Sequence, residues 1–160
     1  MFKKVAIPFF DFMSAFASAR DREDKAVKWL LRAARYGSSN AQNQLGTHYS
    51  EGRGVPKDDV EAASWYKQAA EQGDMYAQAN IGLAFYEGNG VTQSYELALS
   101  WYKRAAEQGH PESQYNLGLM FADSIGTARN TMKAIEWLRK AAEQNIEQAN
   151  DALRNVQSEI

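Results

Sequence analysis

Residues 62–73 read Ala62-Ala63-Ser64-Trp65-Tyr66-Lys67-Gln68-Ala69-Ala70-Glu71-Gln72-Gly73, and 36 positions later the chain reads Ala98-Leu99-Ser100-Trp101-Tyr102-Lys103-Arg104-Ala105-Ala106-Glu107-Gln108-Gly109. The four tryptophans, Trp29, Trp65, Trp101 and Trp137, keep that 36-residue interval without a gap. Other phases agree with it: Ala33, Ala69, Ala105 and Ala141; Leu45, Ile81, Leu117 and Leu153; Gly46, Gly82 and Gly118; Tyr49, Phe85 and Phe121. Gly37, Gly73 and Gly109 recur too, with Asn145 in the fourth slot. A fixed period of this length means an array of like supersecondary units.

Each unit reads as two helices. Ala62, Trp65, Tyr66, Ala69 and Ala70 share one helical face, which predicts a helix A over about 59–71. Asp58, Ser94 and Asn130 occupy its N-cap phase, and Asp58 with Glu61 fits a capping box. Gly73 supplies the left-handed residue that ends the helix. Asp74 caps helix B, expected over 75–86, and in the next unit Pro111 takes the favoured first position. Ala77, Ile81 and Phe85 form the inner stripe of helix B. Gly82 beside them costs ~1 kcal/mol of helix propensity, so a close helix–helix approach is its expected reason.

Gly52-Arg53-Gly54-Val55 and Gly88-Asn89-Gly90-Val91 are the turns from B to the next A, with the valine expected to plug the core. The third copy, Ser124-Ile125-Gly126-Thr127, keeps one glycine and is expected to be distorted. Helix pairs that cannot bury their faces alone stack, so the fold class is all-α: an α/α superhelical solenoid of four ~36-residue helix-pair repeats. The divisions are 22–57, 58–93, 94–129 and 130–160. Trp, Tyr and Ala are expected to make its continuous core.

The strings quoted above, with Ala77-Gln78-Ala79-Asn80-Ile81-Gly82-Leu83-Ala84-Phe85-Tyr86-Glu87-Gly88-Asn89-Gly90-Val91, resemble the Sel-one-like repeat family, relatives of the tetratricopeptide repeats. The resemblance covers residues 22–158. It implies an α/α superhelix acting as a protein-binding adaptor, mostly in bacterial or secretory-pathway settings. A disulfide-bearing subset of that family is associated with β-lactam binding. This chain has no cysteine, so those properties do not carry over.

The remaining composition narrows the function classes. Eighteen Lys and Arg against 20 Asp and Glu give no basic footprint for nucleic acid. No cysteine means no thiolate metal site and no cysteine nucleophile. No stretch reaches the ~18 apolar residues of a membrane span. Residues 1–21 are expected to form an N-terminal cap, with a helix over 8–19 turning Phe9, Phe12, Met13 and Phe16 inward. The rival reading is a leader with Lys3-Lys4, an apolar run and Ala17-Ser18-Ala19; Asp11 interrupts it. A cytoplasmic location is favoured, a periplasmic one following if that segment is a leader. In the fourth unit Arg154 and Gln157 replace glycine and aromatic phases, as an outer face in water would require.

Candidate chemistry is sparse. His48 and His110 fall at different repeat phases, which argues against a shared metal site. Gly52-x-Gly54 and Gly88-x-Gly90 lack the rest of a phosphate loop. Glu71, Glu107 and Glu143 lie four residues after Lys67, Lys103 and Arg139, which suits surface pairing. No cofactor and no metal are expected, and no catalytic residue. One surface feature points to a partner: Arg32, Gln68, Arg104 and Lys140, beside Lys67, Lys103 and Arg139, would align into a basic ridge for an acidic protein. Tyr66 and Tyr102, with Leu30 and Leu138 in the same phase, are either anchors at the concave edge or core.

The array as read leaves no room for a catalytic domain. The function expected is therefore a non-enzymatic protein–protein interaction module that holds its partner in a concave groove as an adaptor. An immunity-type inhibitor of a secreted effector enzyme is the alternative. A β-lactam-binding, enzyme-like activity is the third.

Overall fold

Four short polar side chains, each followed by a helix-forming stretch, set where the main helices begin. Asp58 Oδ1 accepts from the Val60 and Glu61 amides, both at 3.0 Å. Ser94 Oγ accepts from Leu97 N at 3.3 Å, Asn130 Oδ1 from Lys133 N at 3.0 Å, and Asp74 Oδ1 from Ala77 N at 2.9 Å. Each satisfies an amide that has no partner inside its helix. The structure, a computed structural model, describes residues 21–158. Among the described residues there are eight helices: α1 Asp21–Arg35, α2 Ser39–Glu51, α3 Asp59–Glu71, α4 Met75–Glu87, α5 Tyr95–Glu107, α6 Pro111–Ala122, α7 Thr131–Glu143 and α8 Glu147–Gln157. Odd numbers are helix A and even numbers helix B. The fold is all-α, in sequential helix-pair repeats. The cap expected over residues 8–19, and the leader alternative, lie outside the described residues.

Two details of the local reading change. The capping box at Asp58 is half made. The Asp58 amide donates to Tyr49 O at 2.9 Å, so it is not there for Glu61 to accept. The same bond recurs from Ser94 N to Phe85 O and from Asn130 N to Phe121 O, tying each A helix to the preceding B helix. The third B-to-A turn is not distorted either. Ser124 takes φ 59° and Gly126 φ 67°, close to the 69° of Gly52 and Gly54. Ser124 holds a left-handed backbone that its side chain disfavours, because Ile125 N still bonds Met120 O at 3.0 Å, as Arg53 N bonds His48 O at 2.9 Å. Ile125 packs on its core cluster, where the first turn uses Val55, two positions later in the repeat.

The chain divides into two compact units, one ending at Ala77 and including Asn89–Val91, the other comprising Gln78–Gly88 and continuing from Thr92. In the first, α2 packs against α1 and α3. Val27, Leu30, Ala33, Ala34, Ala41 and Leu45 are its buried cluster. In the second, α6 packs against α5 and α7, α7 against α8, and α6 also touches α8. Its core includes Leu117, Phe121, Ala134 and Leu138, with Ala98, Tyr102 and Met120 in an adjoining cluster.

The tryptophans are not the core that the spacing predicts. All four are half-buried, and the residue after each, Leu30, Tyr66, Tyr102 and Leu138, is buried instead. At ~100° per residue, Trp65 sits on the flank of the stripe centred on Tyr66 and the small Ala62, Ala69 and Ala70. The glycine phase of helix B accepts this inner residue. A Cβ at Gly46 would stand 2.5 Å from Tyr66 Cε1, at Gly82 3.0 Å from Tyr102 Cδ1, and at Gly118 2.7 Å from Leu138 Cγ. The missing side chain is what lets each helix pair close.

Candidate interaction surface

Five cations of the expected ridge, Arg32, Lys67, Lys103, Arg104 and Lys140, are engaged within their own helices. Arg32 stacks over Trp29 at 5.3 Å, Arg104 over Trp101 at 4.6 Å and Lys140 over Trp137 at 4.1 Å, each three residues on in the same helix. Such stacking contributes ~0.5–1 kcal/mol at an exposed site. Gln68 breaks the series and donates to Ser64 O at 3.4 Å. Lys67 pairs with Glu71 at 4.0 Å, Lys103 with Glu107 at 3.8 Å, and Lys140 with Glu136 at 2.8 Å. Arg139 is exposed. The anchor reading of the tyrosines is corrected: Tyr66 is 8% and Tyr102 3% exposed, so neither ring is offered to a partner. Tyr66 fits beneath Gly46 and its hydroxyl lies 3.2 Å from Ser50 Oγ and 3.3 Å from Thr47 Oγ1. Burial raises the pKa of the Tyr102 hydroxyl far above the usual tyrosine value. The nearby Glu87 and Tyr86 add to the rise, and a hydrogen bond with Asn116 opposes it.

The histidines are structural. His48 Nδ1 lies 2.7 Å from Arg53 O. His110 caps α6, its Nδ1 accepting from Ser113 N at 3.2 Å. Burial lowers the pKa of His110, against an opposing pull from Glu112 at 3.6 Å. Among the described residues there is no cluster of three or more His, Cys, Asp or Glu able to hold a metal ion.

A glutamine ladder escaped the sequence reading. Gln72 Nε2 donates to Gln42 Oε1 at 2.6 Å, Gln108 to Gln78 at 2.8 Å and Gln144 to Gln114 at 2.8 Å. Gln42 and Gln114 pass the bond on to Ala34 O and Ala106 O. Gln42, Gln78 and Gln114 are each 5% exposed. The signal was present, since both sets of glutamines repeat every 36 residues. Without knowing which face is inside, a glutamine reads as surface.

The B-helix face of the second unit is open. A cleft of about 600 Å³ lies between α6 and α8, with Tyr115, Leu119, Asp123, Arg129 and Asp151 among its walls. A smaller cavity of about 150 Å³ lies on the other side of Leu119, reached between α4 and α6. Leu83 at its edge is 43% exposed. Leu83 and Leu119 share a repeat phase, as do Asn80 and Asn116; that recurrence of apolar and amide positions on helix B was the legible hint.

A ladder of equal helix pairs, glycine-seated and glutamine-linked, with an open helix face, defines a helical-repeat protein. The Sel1 repeat family matches residues 18–38, 39–74, 76–110 and 111–146, and the chain belongs to that family. The matched repeat runs from helix B to the following helix A, half a period out of step with the division used above. Among solved structures, the chain is similar to c5321, a protective antigen of uropathogenic Escherichia coli with an SLR fold. The identity is 35% and the TM-score 0.82, over 96% of this chain and 32% of that one. A Sel1 repeat protein of Oxalobacter formigenes is 31% identical with a TM-score of 0.78, over 94% of this chain and 57% of that one. The chain thus spans about a third and somewhat over half of their lengths. Helicobacter pylori cysteine rich protein B shares the fold at 23% identity and a TM-score of 0.57, over 69% of this chain and 91% of that one. No curated protein matches the sequence. Sel1 repeats are generally protein-interaction modules, and none of the described helices is long and apolar enough to cross a membrane.

Proposed function

We propose that the chain is a non-enzymatic protein-interaction module, an adaptor or scaffold, whose partner docks on the B-helix face of the second unit. The observation that carries this is the pair of clefts flanking Leu119. They are concave and mixed in polarity, in a chain whose recurrent polar groups are otherwise spent on its own helices. The histidines hold turns and caps, the glutamines link helices, and Lys67, Lys103 and Lys140 pair with glutamates of their own helices. A surface that combines buried apolar pockets with a polar surround suits a protein partner.

The test is chemical cross-linking of the intact protein in its native cells, followed by titration of the identified partner with purified chain. A saturable complex of fixed stoichiometry, weakened by Leu83→Ser, is expected. Hydrolysis of nitrocefin or another substrate by the purified chain, or no partner above the control, overturns the reading.

A further inference from the structure

The cavity between α4 and α6 has a chemistry of its own. Met120, 1% exposed, and Tyr102 close its inner end, while Leu83, Leu119 and Ile125 supply aliphatic wall. Its volume of about 150 Å³ matches the size of apolar cavity that takes up a benzene-sized group, so one large side chain fills it and a strand of backbone does not. The rim is held in place. Tyr86 packs edge-to-face on Tyr95 at 5.2 Å, and Gln93 Nε2 bonds both Tyr86 O at 2.8 Å and Tyr95 Oη at 3.2 Å. The only charge on the lining is the Glu87 carboxylate. Across Leu119 the larger cleft adds Asp123 and Asp151 against one guanidinium, Arg129; Asp151 also pairs with Arg154. Around the two clefts three carboxylates, Glu87, Asp123 and Asp151, stand against two guanidinium groups, Arg129 and Arg154.

We propose that this cavity is a specificity pocket. It takes one leucine- or phenylalanine-sized side chain from a partner's peptide segment, with a lysine or arginine beside that residue meeting Glu87. The inference rests on the protein-interaction reading above. It reverses the charge that the A-helix ridge suggested for the partner: the segment docking here is basic. A peptide suits the place better than a free small molecule, because the apolar cavity opens beside a second, polar-lined cleft that can accept backbone and flanking side chains.

The experiment uses the whole chain with ¹³C-labelled methionine and isoleucine methyl groups. The probes are peptides acetyl-Gly-Ser-X-Arg-Ser-Gly-amide with X as Leu, Phe, Ala or Gly, and a version of the Leu peptide with Glu for Arg. Saturable shifts of the Met120 and Ile125 methyl resonances are expected with Leu and Phe. Binding should weaken about 10-fold or more with Ala, in keeping with the loss of several buried methylenes, and vanish with Gly. Glu for Arg weakens binding, and high salt narrows that gap. Glu87→Gln abolishes the preference for Arg over Glu while keeping that for Leu over Ala; Leu83→Ser weakens every peptide. Both positions are exposed, and unchanged far-UV circular dichroism checks the fold. Shifts that are absent, equal for Leu and Gly, or stronger for the Glu peptide overturn the pocket. A partner held equally by wild type and by a Leu83→Ser, Glu87→Lys double variant overturns the pocket alone. Peptide binding without any cellular partner overturns the broader proposed function alone.

Discussion

Replacing Gly46 with alanine sets two known effects against each other. Alanine in a helix interior is favoured over glycine by ~1 kcal/mol. Its Cβ, however, would stand 2.5 Å from Tyr66 Cε1, where ordinary contact starts near 3.4 Å. The ring must retreat by about 0.9 Å, on the order of the overpacking that costs ~1–3 kcal/mol. It is not free to do so, because its hydroxyl is held by Ser50 and Thr47, bonds contributing ~0.5–1.5 kcal/mol each. The net expectation is a loss of about 1–3 kcal/mol, which lowers the urea midpoint by roughly 1 M for a slope near 2 kcal/mol/M. Gly118→Ala, at 2.7 Å from Leu138 Cγ, should cost less, and Gly82→Ala, at 3.0 Å from Tyr102 Cδ1, should be close to neutral. Urea unfolding followed by circular dichroism reads all three. Adding Tyr66→Ala to Gly46→Ala should relieve the clash, so the double variant is more stable than the sum of its parts by about 1 kcal/mol or more. A Gly46→Ala protein stabilised by the full helix-propensity gain, or a series in reversed order, refutes the close-approach argument.

Ser124→Gly should raise stability by about 0.5–1 kcal/mol in the same assay, since glycine carries the φ of 59° without strain. Gln114→Leu removes the buried link between Gln144 and Ala106 O and should cost about 1–3 kcal/mol in urea unfolding. Gln68→Arg should place a cation over Trp65, as in the other three repeats, and gain roughly 0.5 kcal/mol; quenching or shift of tryptophan fluorescence reports the stacking. His110 is a pH probe. Its folded pKa is lowered, so the unfolded chain binds the proton first. Its contribution is fully present above the ordinary value of 6.5, declines as the pH falls through 6.5 towards the folded value, and levels off below it. His110→Asn keeps an acceptor at the cap and should flatten that part of the stability profile between pH 7.5 and 5.5.

The period of 36 residues, the caps at Asp58, Ser94 and Asn130, and the helix stop at Gly73 were all legible in the sequence. These features act over a few residues along one chain segment, where spacing and side-chain chemistry decide the outcome by themselves. Tertiary packing settled which neighbour of each stripe turns inward. The tryptophan and the residue after it are both large and apolar, and nothing local separates them. Only the helix across the way, with glycine at Gly46, Gly82 or Gly118, makes room for the second. Once Tyr66 and Tyr102 are inside, the tryptophans are left on the flank, where Arg32, Arg104 and Lys140 reach them, and Gln42, Gln78 and Gln114 become buried links. The open clefts beside Leu119 have the same origin. They are spaces between helices that lie far apart in sequence, so no single segment encodes them, and only the packed arrangement brings Leu83, Met120, Ile125 and Glu87 to one cavity.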